Sequence, residues 1–175
     1  MRILAPAIAY GLIALVSSSS SSAQSPAAAY EGTPADFMQI SQLYSRYDFA
    51  IDNGDGDGWA DTFTPDGVFR DPSWCAIGRE MLVGVVGRDK QLGKDQEDFH
   101  MPSLGPIVYV DKDHATIHST VVLVRKTGFG AVGGGIWISG TYDDRLVRVK
   151  GRWLFAYRQV HRPSDKPPVP CAREY

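Results

Sequence analysis

Apolar positions along the chain follow two different periods, and the change between them divides the sequence. Phe37, Ile40, Leu43, Tyr44, Tyr47, Ala50 and Ile51 recur at the i, i+3, i+4, i+7 spacing of an amphipathic helix. Thr33 is placed to cap that helix, Pro34 suits its first position, and Asp36 falls in its first turn, where unpaired backbone N–H groups favour negative charge. Asn53-Gly54 stops it. A short second helix is expected over Trp59–Phe63, then a turn at Thr64-Pro65-Asp66-Gly67 and a strand near Val68–Asp71. A third helix is expected over Glu80–Val86, although Gly84 weakens it. From Ile107 onward the texture becomes β-branched and aromatic. Ile107–Val110, Ala115–Arg125, Gly135–Val149 and Arg152–Val160 read as strands, separated by turn signals at Asp111-Lys112-Asp113, Thr127–Gly134 and Lys150-Gly151. Helices first and a meander afterwards predict an α+β domain, not alternating βαβ units.

The N-terminus reads as a targeting segment. Met1–Ala23 combines Arg2, the apolar stretch Ile3–Val16 and the small residues Ser21-Ser22-Ala23, the pattern of a secretory signal peptide. The apolar stretch is shorter than the ~20 residues of a membrane-spanning helix, so no membrane insertion is expected. Residues 24–32 read as a flexible leader, 33–162 as the domain, and 163–175 as a proline-rich extended tail. Export, most naturally to the periplasm, places Cys75 and Cys171 in an oxidising compartment. There they either pair or remain independent thiols, and their spacing does not decide which. A chain of 175 residues with a net charge of −2 is long enough for one buried core and gives no electrostatic case for nucleic acid.

Candidate chemistry narrows from there. The run AIDNGDGDGWADTF (residues 50–63) resembles a calcium loop only in part. With Gly58 at the glycine position of an EF-hand loop, the closing bidentate carboxylate would have to be Thr64, so the run reads as a helix stop and a solvated turn. Gly128–Gly133 spells GxGxxG, but a strand follows it and a dinucleotide site needs a helix there. No zinc motif is present, and no metal or other cofactor is expected. Of the four histidines, His114 lies at a turn. His118 shares a face with Thr120, Val122 and Val124, as either a core histidine or part of a cavity wall. His161 is assigned no role, and His100 stands just before the meander.

The order of LYSRYDFAID, WADTFTPDGVF, a Gly-Arg-Glu helix, the Phe99-His100 pair and GTYDDRLVRVKGRWLFAYR resembles the SnoaL-like branch of the nuclear transport factor two-like superfamily, over about Asp36 to His161. The resemblance implies an α+β cone-shaped barrel, a curved antiparallel sheet wrapped around the long first helix, with an apolar pocket at its open end. By similarity to scytalone dehydratase and hexachlorocyclohexane dehydrochlorinase it also implies a catalytic pair, Asp52 at the end of the helix and His100 leading into the sheet. Periodicity alone disagrees: Asp52 lies about 130° from the centre of the apolar stripe, and Asp48 is nearer the buried edge. Tyr44 and Tyr47 could donate hydrogen bonds to a substrate or simply pack. Trp59 and Trp137 could form aromatic walls or pack in the core, and Arg70 could orient a substrate oxygen or pair with Asp71. Ile51 and Tyr47 replace a tyrosine and a lysine of those two enzymes, so neither identical chemistry is implied.

Together these readings predict an exported, cofactor-independent lyase for a small hydrophobic, aromatic or cyclic molecule. The reaction would be an elimination or a retro-aldol-type cleavage. A non-catalytic periplasmic binding module, an isomerase and an epoxide-type hydrolase are the alternatives on the same fold. The resemblance further implies a homo-dimer or homo-trimer formed through the convex face of the sheet.

Overall fold

The computed structural model describes residues 29–91, 98–125, 135–163 and 170–171. The expected signal peptide, most of the leader, the glycine-rich loop and most of the tail lie outside the described residues.

Helix α1 (Pro34–Asp52) starts where its capping residues require. Thr33 Oγ1 accepts from the Asp36 backbone N–H at 3.1 Å, and the Asp36 carboxylate accepts from the Thr33 N–H at 3.0 Å, a reciprocal capping box. Asp36 also accepts from Tyr30, from Arg148 and, at 3.1 Å, from the Trp153 indole. Burial pushes its carboxyl pKa up, but the hydrogen bonds from Tyr30, Trp153, Thr33 and Arg148 outweigh burial and hold it well below the usual carboxylate range. With Asp36 turned inward, the buried stripe is Asp36, Ile40, Leu43, Tyr44, Tyr47 and Ala50. Phe37, expected on that stripe, is 55% exposed instead.

Asp55 caps the short helix α2 (Gly56–Ala60), which starts and ends earlier than the expected Trp59–Phe63. Strand β1 (Phe63–Asp71) absorbs the expected Thr64–Gly67 turn as an irregularity in its pairing. It is followed by β2 (Trp74–Ile77), α3 (Gly78–Gln91), β3 (Asp98–Ser103) and β4 (Ile107–Tyr109). The long strands β5 (His114–Arg125), β6 (Gly135–Val149) and β7 (Arg152–His161) complete the chain. The four meander strands match expectation to within one residue at each end. The β6–β7 turn holds Lys150 and Gly151 at φ 50° and 79°, the paired positive values of a tight hairpin. β2 and β3 were not anticipated. β2 has only four residues, and Pro102 within β3 is tolerated because β3 lies at the sheet edge.

The strands pair in the order β2-β1-β7-β6-β5-β3, with β4 also on β5, in a curved sheet that does not close. Every pair is antiparallel except β1–β7, which is parallel. The expected curved sheet around α1 is present, with one parallel pair among its antiparallel ones. A hairpin forces neighbours to be antiparallel, whereas β1 and β7 are joined through the whole domain, which leaves their relative direction free.

Helix α1 packs on the inner face of this sheet. Tyr47 meets Trp59, Phe63, Tyr142 and Phe155 with ring centroids 5.5–6.4 Å apart. Arg158 is fully buried among these rings and bonded to Asp144 by two contacts of 2.7 Å. Its guanidinium lies within 4.7 Å of the Tyr44, Tyr47, Tyr142 and Phe155 ring centroids.

Candidate active site

Asp52 is the last residue of α1 and His100 the third of β3. The His100 Nδ1 lies 2.6 Å from Asp52 Oδ1, and the His100 backbone N–H donates to Oδ2 at 3.0 Å and to Oδ1 at 3.2 Å. Their side chains are 11% and 14% exposed for Asp52 and His100 respectively. β3 lies against the end of α1 and covers the flank that periodicity leaves open, so the exposure expected for Asp52 is corrected. A carboxylate accepts, so Nδ1 carries the proton and Nε2 is left as the basic nitrogen.

The pair lies in the wall of a cavity of about 320 Å³, lined on its apolar side by residues including Ile51, Trp59, Phe69, Trp74, Val121 and Leu123. Two ion pairs share this wall: Arg125 bonds Asp98 at 3.0 and 3.3 Å, and Arg162 bonds Asp71 at 3.0 Å. Gly140 on β6 also lines it. A Cβ there would come within 2.3 Å of the His161 carbonyl oxygen, so only glycine lets β7 pass so close. One helical turn before Asp52, burial pushes the Asp48 carboxyl up to about 7; Arg158 and His100 oppose the shift and Asp52 adds to it. Its Oδ1 is enclosed without a hydrogen-bond partner.

Of the other candidate substrate-binding residues, Trp59 joins the dyad's cavity, and the side chain of Trp137 lies outside the described residues. Tyr44 donates to Asp144 and Tyr47 packs under Arg158; both are core residues whose phenols burial holds above their ordinary pKa. Arg70 and His118 line a second cavity of about 590 Å³ together with Asp143, Tyr157 and Gln159. There His118 Nδ1 is 2.6 Å from Asp143, which also meets His161 Nε2 at 2.8 Å. A place beside the dyad for Tyr44, Tyr47, Arg70 and His118 is therefore corrected. Strand alternation explains two of them: Phe69 and Asp71 face the dyad's cavity and Arg70 does not, while Val121 and Leu123 face it from β5 and His118 belongs to the opposite set.

Sequence reasoning missed Asp98, Arg125, Asp71, Arg162 and Trp74. Asp98 had a readable signal, since it stands two residues before His100 and shares its face once β3 is known to be a strand. The aspartate- and glycine-rich run at residues 50–63 serves structure. Asp55 accepts from Gly58 N–H at 2.9 Å, and Asp57 and Asp61 both hold Arg79. Among the described residues, no group of three or more His, Cys, Asp or Glu side chains could hold a metal ion. Cys75 and Cys171 form a disulfide with their Cα atoms 6.2 Å apart.

A family model for the SnoaL-like domain matches residues 35–159. The chain belongs to the SnoaL-like family. That family includes polyketide cyclases and dehydratases, and its fold is suited to binding small molecules. Among solved structures, this SnoaL-like chain is similar to a variant of Rv3472, a Mycobacterium tuberculosis protein of unknown function. Identity there is 33% over 73% of this chain and 76% of the other, with a TM-score of 0.64. It is 28% identical, over 73% of this chain and 95% of the other, to a Catenulispora acidiphila protein in complex with S-DNPA, with a TM-score of 0.60. It shares its fold with a proposed scytalone dehydratase from Novosphingobium aromaticivorans, at 21% identity over 81% of this chain and 96% of the other, with a TM-score of 0.61. A search of curated proteins finds no match. No helix among the described residues is long and apolar enough to cross a membrane.

Proposed function

We propose that the protein is an exported, cofactor-independent lyase for a small hydrophobic, aromatic or cyclic molecule. The observation that carries this reading is the 2.6 Å contact between His100 Nδ1 and Asp52 at the wall of a mainly apolar cavity. The apolar part of such a wall lowers the local dielectric and strengthens the electrostatic interactions beside it. His100 Nε2 removes a proton from a carbon next to a carbonyl or a leaving group, and Asp52 stabilises the imidazolium that results. In an elimination the C–H electrons form the new double bond and the leaving group departs with its own pair. The other charged groups on the wall are held in the Asp71–Arg162 and Asp98–Arg125 pairs, so His100 itself returns the proton to the leaving oxygen, and water is released. Similarity, at 28% identity, to a chain solved in complex with S-DNPA supports a small-molecule ligand for the cavity. The signal-like Met1–Ala23 segment and the Cys75–Cys171 disulfide support export.

The same pairing of the wall's charges favours one alternative, a binding module that holds such a molecule without turning it over. Deuterium exchange of β-tetralone in deuterated water separates the two. A general base accelerates exchange at the carbon beside the carbonyl, and His100→Ala abolishes the acceleration. Binding with no exchange above buffer would leave the binding module standing.

A further inference from the structure

Two carboxylates stand one turn apart on α1. Asp48 precedes Asp52 by four residues, which puts both side chains on one flank of the helix, roughly 5–6 Å apart at Cβ. Asp52 bonds to His100, whereas Asp48 makes no hydrogen bond or ion pair among the described residues, and its Oδ1 is enclosed. The setting disfavours charge. The C-terminal end of a helix is partly negative, and the last turn of α1 carries no basic residue to offset it. Charged and titratable neighbours reach Asp48 from four elements: Asp52 and Tyr47 on α1, His100 on β3, Tyr142 on β6 and Arg158 on β7. Arg158 is already held by Asp144 through Nε and Nη2, at 2.7 Å each. On the cavity wall Arg125 is matched by Asp98 and Arg162 by Asp71. Among these neighbours, the positive charge that comes and goes is the imidazolium of His100.

We propose that Asp48 is a positioning residue that acts through His100: its ionised carboxylate raises the proton affinity of the imidazole and so strengthens the base. The inference rests on the reading of His100 as the base of this site. Asp52 orients the ring through Nδ1, and Asp48 adds a second negative charge from one turn back along α1. Asp48 does not line the cavity, so it acts without touching the substrate and exchanges no proton with it. Imidazolium and carboxylate attract, and each favours the charged form of the other by the same amount. Burial holds the Asp48 carboxyl at about 7 against the pull of Arg158 and His100. It is therefore neutral in acid and charged in base, with its midpoint in the range where histidines work. As pH rises through that midpoint Asp48 loses its proton, and His100 then holds its own more tightly. The two protons leave in overlapping steps that belong to the pair. During turnover the imidazolium at His100 meets a counter-charge at Asp48 as well as at Asp52.

The test follows the ring protons of His100 by NMR in the full chain, across about pH 4–10, with His100→Gln to assign the signal. Asp48→Asn keeps the shape of the side chain and removes its charge. In that variant the His100 midpoint should fall by about 0.5–1 pH unit, a three- to tenfold loss of proton affinity, and the broad wild-type curve should sharpen to one step. Asp48→Ala, which removes the carboxyl outright, should move the midpoint the same way. At pH 9, β-tetralone exchange should be about two- to threefold slower in Asp48→Asn, because a weaker base abstracts the proton more slowly. Glu31→Gln removes one exposed charge at the opposite end of α1 and should leave the titration unchanged. Superimposable wild-type and Asp48→Asn curves would overturn the proposal. An equal shift in Glu31→Gln would overturn it too, since net charge alone would then account for the effect. If the wild type fails to exchange β-tetralone while the His100 midpoint still moves, the base reading fails and the coupling between Asp48 and His100 stands.

Discussion

Asp52 meets His100 twice, at the ring Nδ1 at 2.6 Å and at the backbone N–H at 3.0 Å. One carboxylate thus fixes both the height of β3 against α1 and the orientation of the imidazole. Support for the strand and support for the base come from the same group.

His100→Ala should lower turnover, read as β-tetralone exchange, by about 10²–10⁴-fold, the usual contribution of a general base. Asp52→Asn should lower kcat by at least about 10²-fold while KM stays close to wild type, because the amide keeps the shape but cannot stabilise the imidazolium. A loss of less than about tenfold in His100→Ala would remove the base role.

Asp48 makes stability depend on pH. Burial raises its carboxyl from 3.8 to about 7 in the folded chain, so between those values the folded state holds a proton that the unfolded state releases. Stability from this source is full below about pH 4, falls as pH rises, and levels off above about pH 7, with a total change of at most about 4 kcal/mol. Asp48→Asn should therefore gain on the wild type as pH rises from 4 to 8 in thermal denaturation. Parallel pH profiles for the two proteins would show that Asp48 ionises normally.

Arg158→Met should destabilise the fold by about 3–5 kcal/mol in urea denaturation, since it leaves Asp144 buried without its counter-ion. The Asp144→Leu/Arg158→Met double variant should recover part of that loss, because a pair of apolar side chains leaves no buried charge unpaired. No recovery would mean that the pair and its surrounding rings also set the packing.

Gly140→Ala should cost about 1–3 kcal/mol of stability and weaken binding of β-naphthol, because the new methyl meets the His161 carbonyl. A crystal structure showing β7 unmoved in this variant would contradict the close approach.

What the sequence made legible was what local rules control. Thr33, Pro34 and Asp36 announced the start of α1, and the β-branched meander placed β5, β6 and β7 because their turns are local. The inward turn of Asp36 was not readable. A charged residue is assigned to solvent unless its partners are known, and Arg148 and Trp153 lie more than a hundred residues away. Phe37 was misplaced for the same reason. Asp52 entered through family resemblance while periodicity pointed outward, because the strand that covers it carries a proline and did not look like a strand. His118 kept two readings until the register of β5 assigned its face. The Asp71–Arg162 and Asp98–Arg125 pairs depend on which strand ends meet, and one chain's pattern does not encode that.

The single parallel pairing, β1 against β7, has a consequence for how the molecule comes to exist. Phe63 faces Phe155 and Arg70 faces Gln159, so one wall of the cavity closes only when the first and last strands meet. Contacts this distant in sequence carry the largest loop-closure cost and slow the search for the native state. A chain emerging from synthesis can form α1 early, but the cavity is incomplete until its last strand arrives. Asp52 and His100 can find each other before then; the walled cavity that would give them chemistry is the final thing to form.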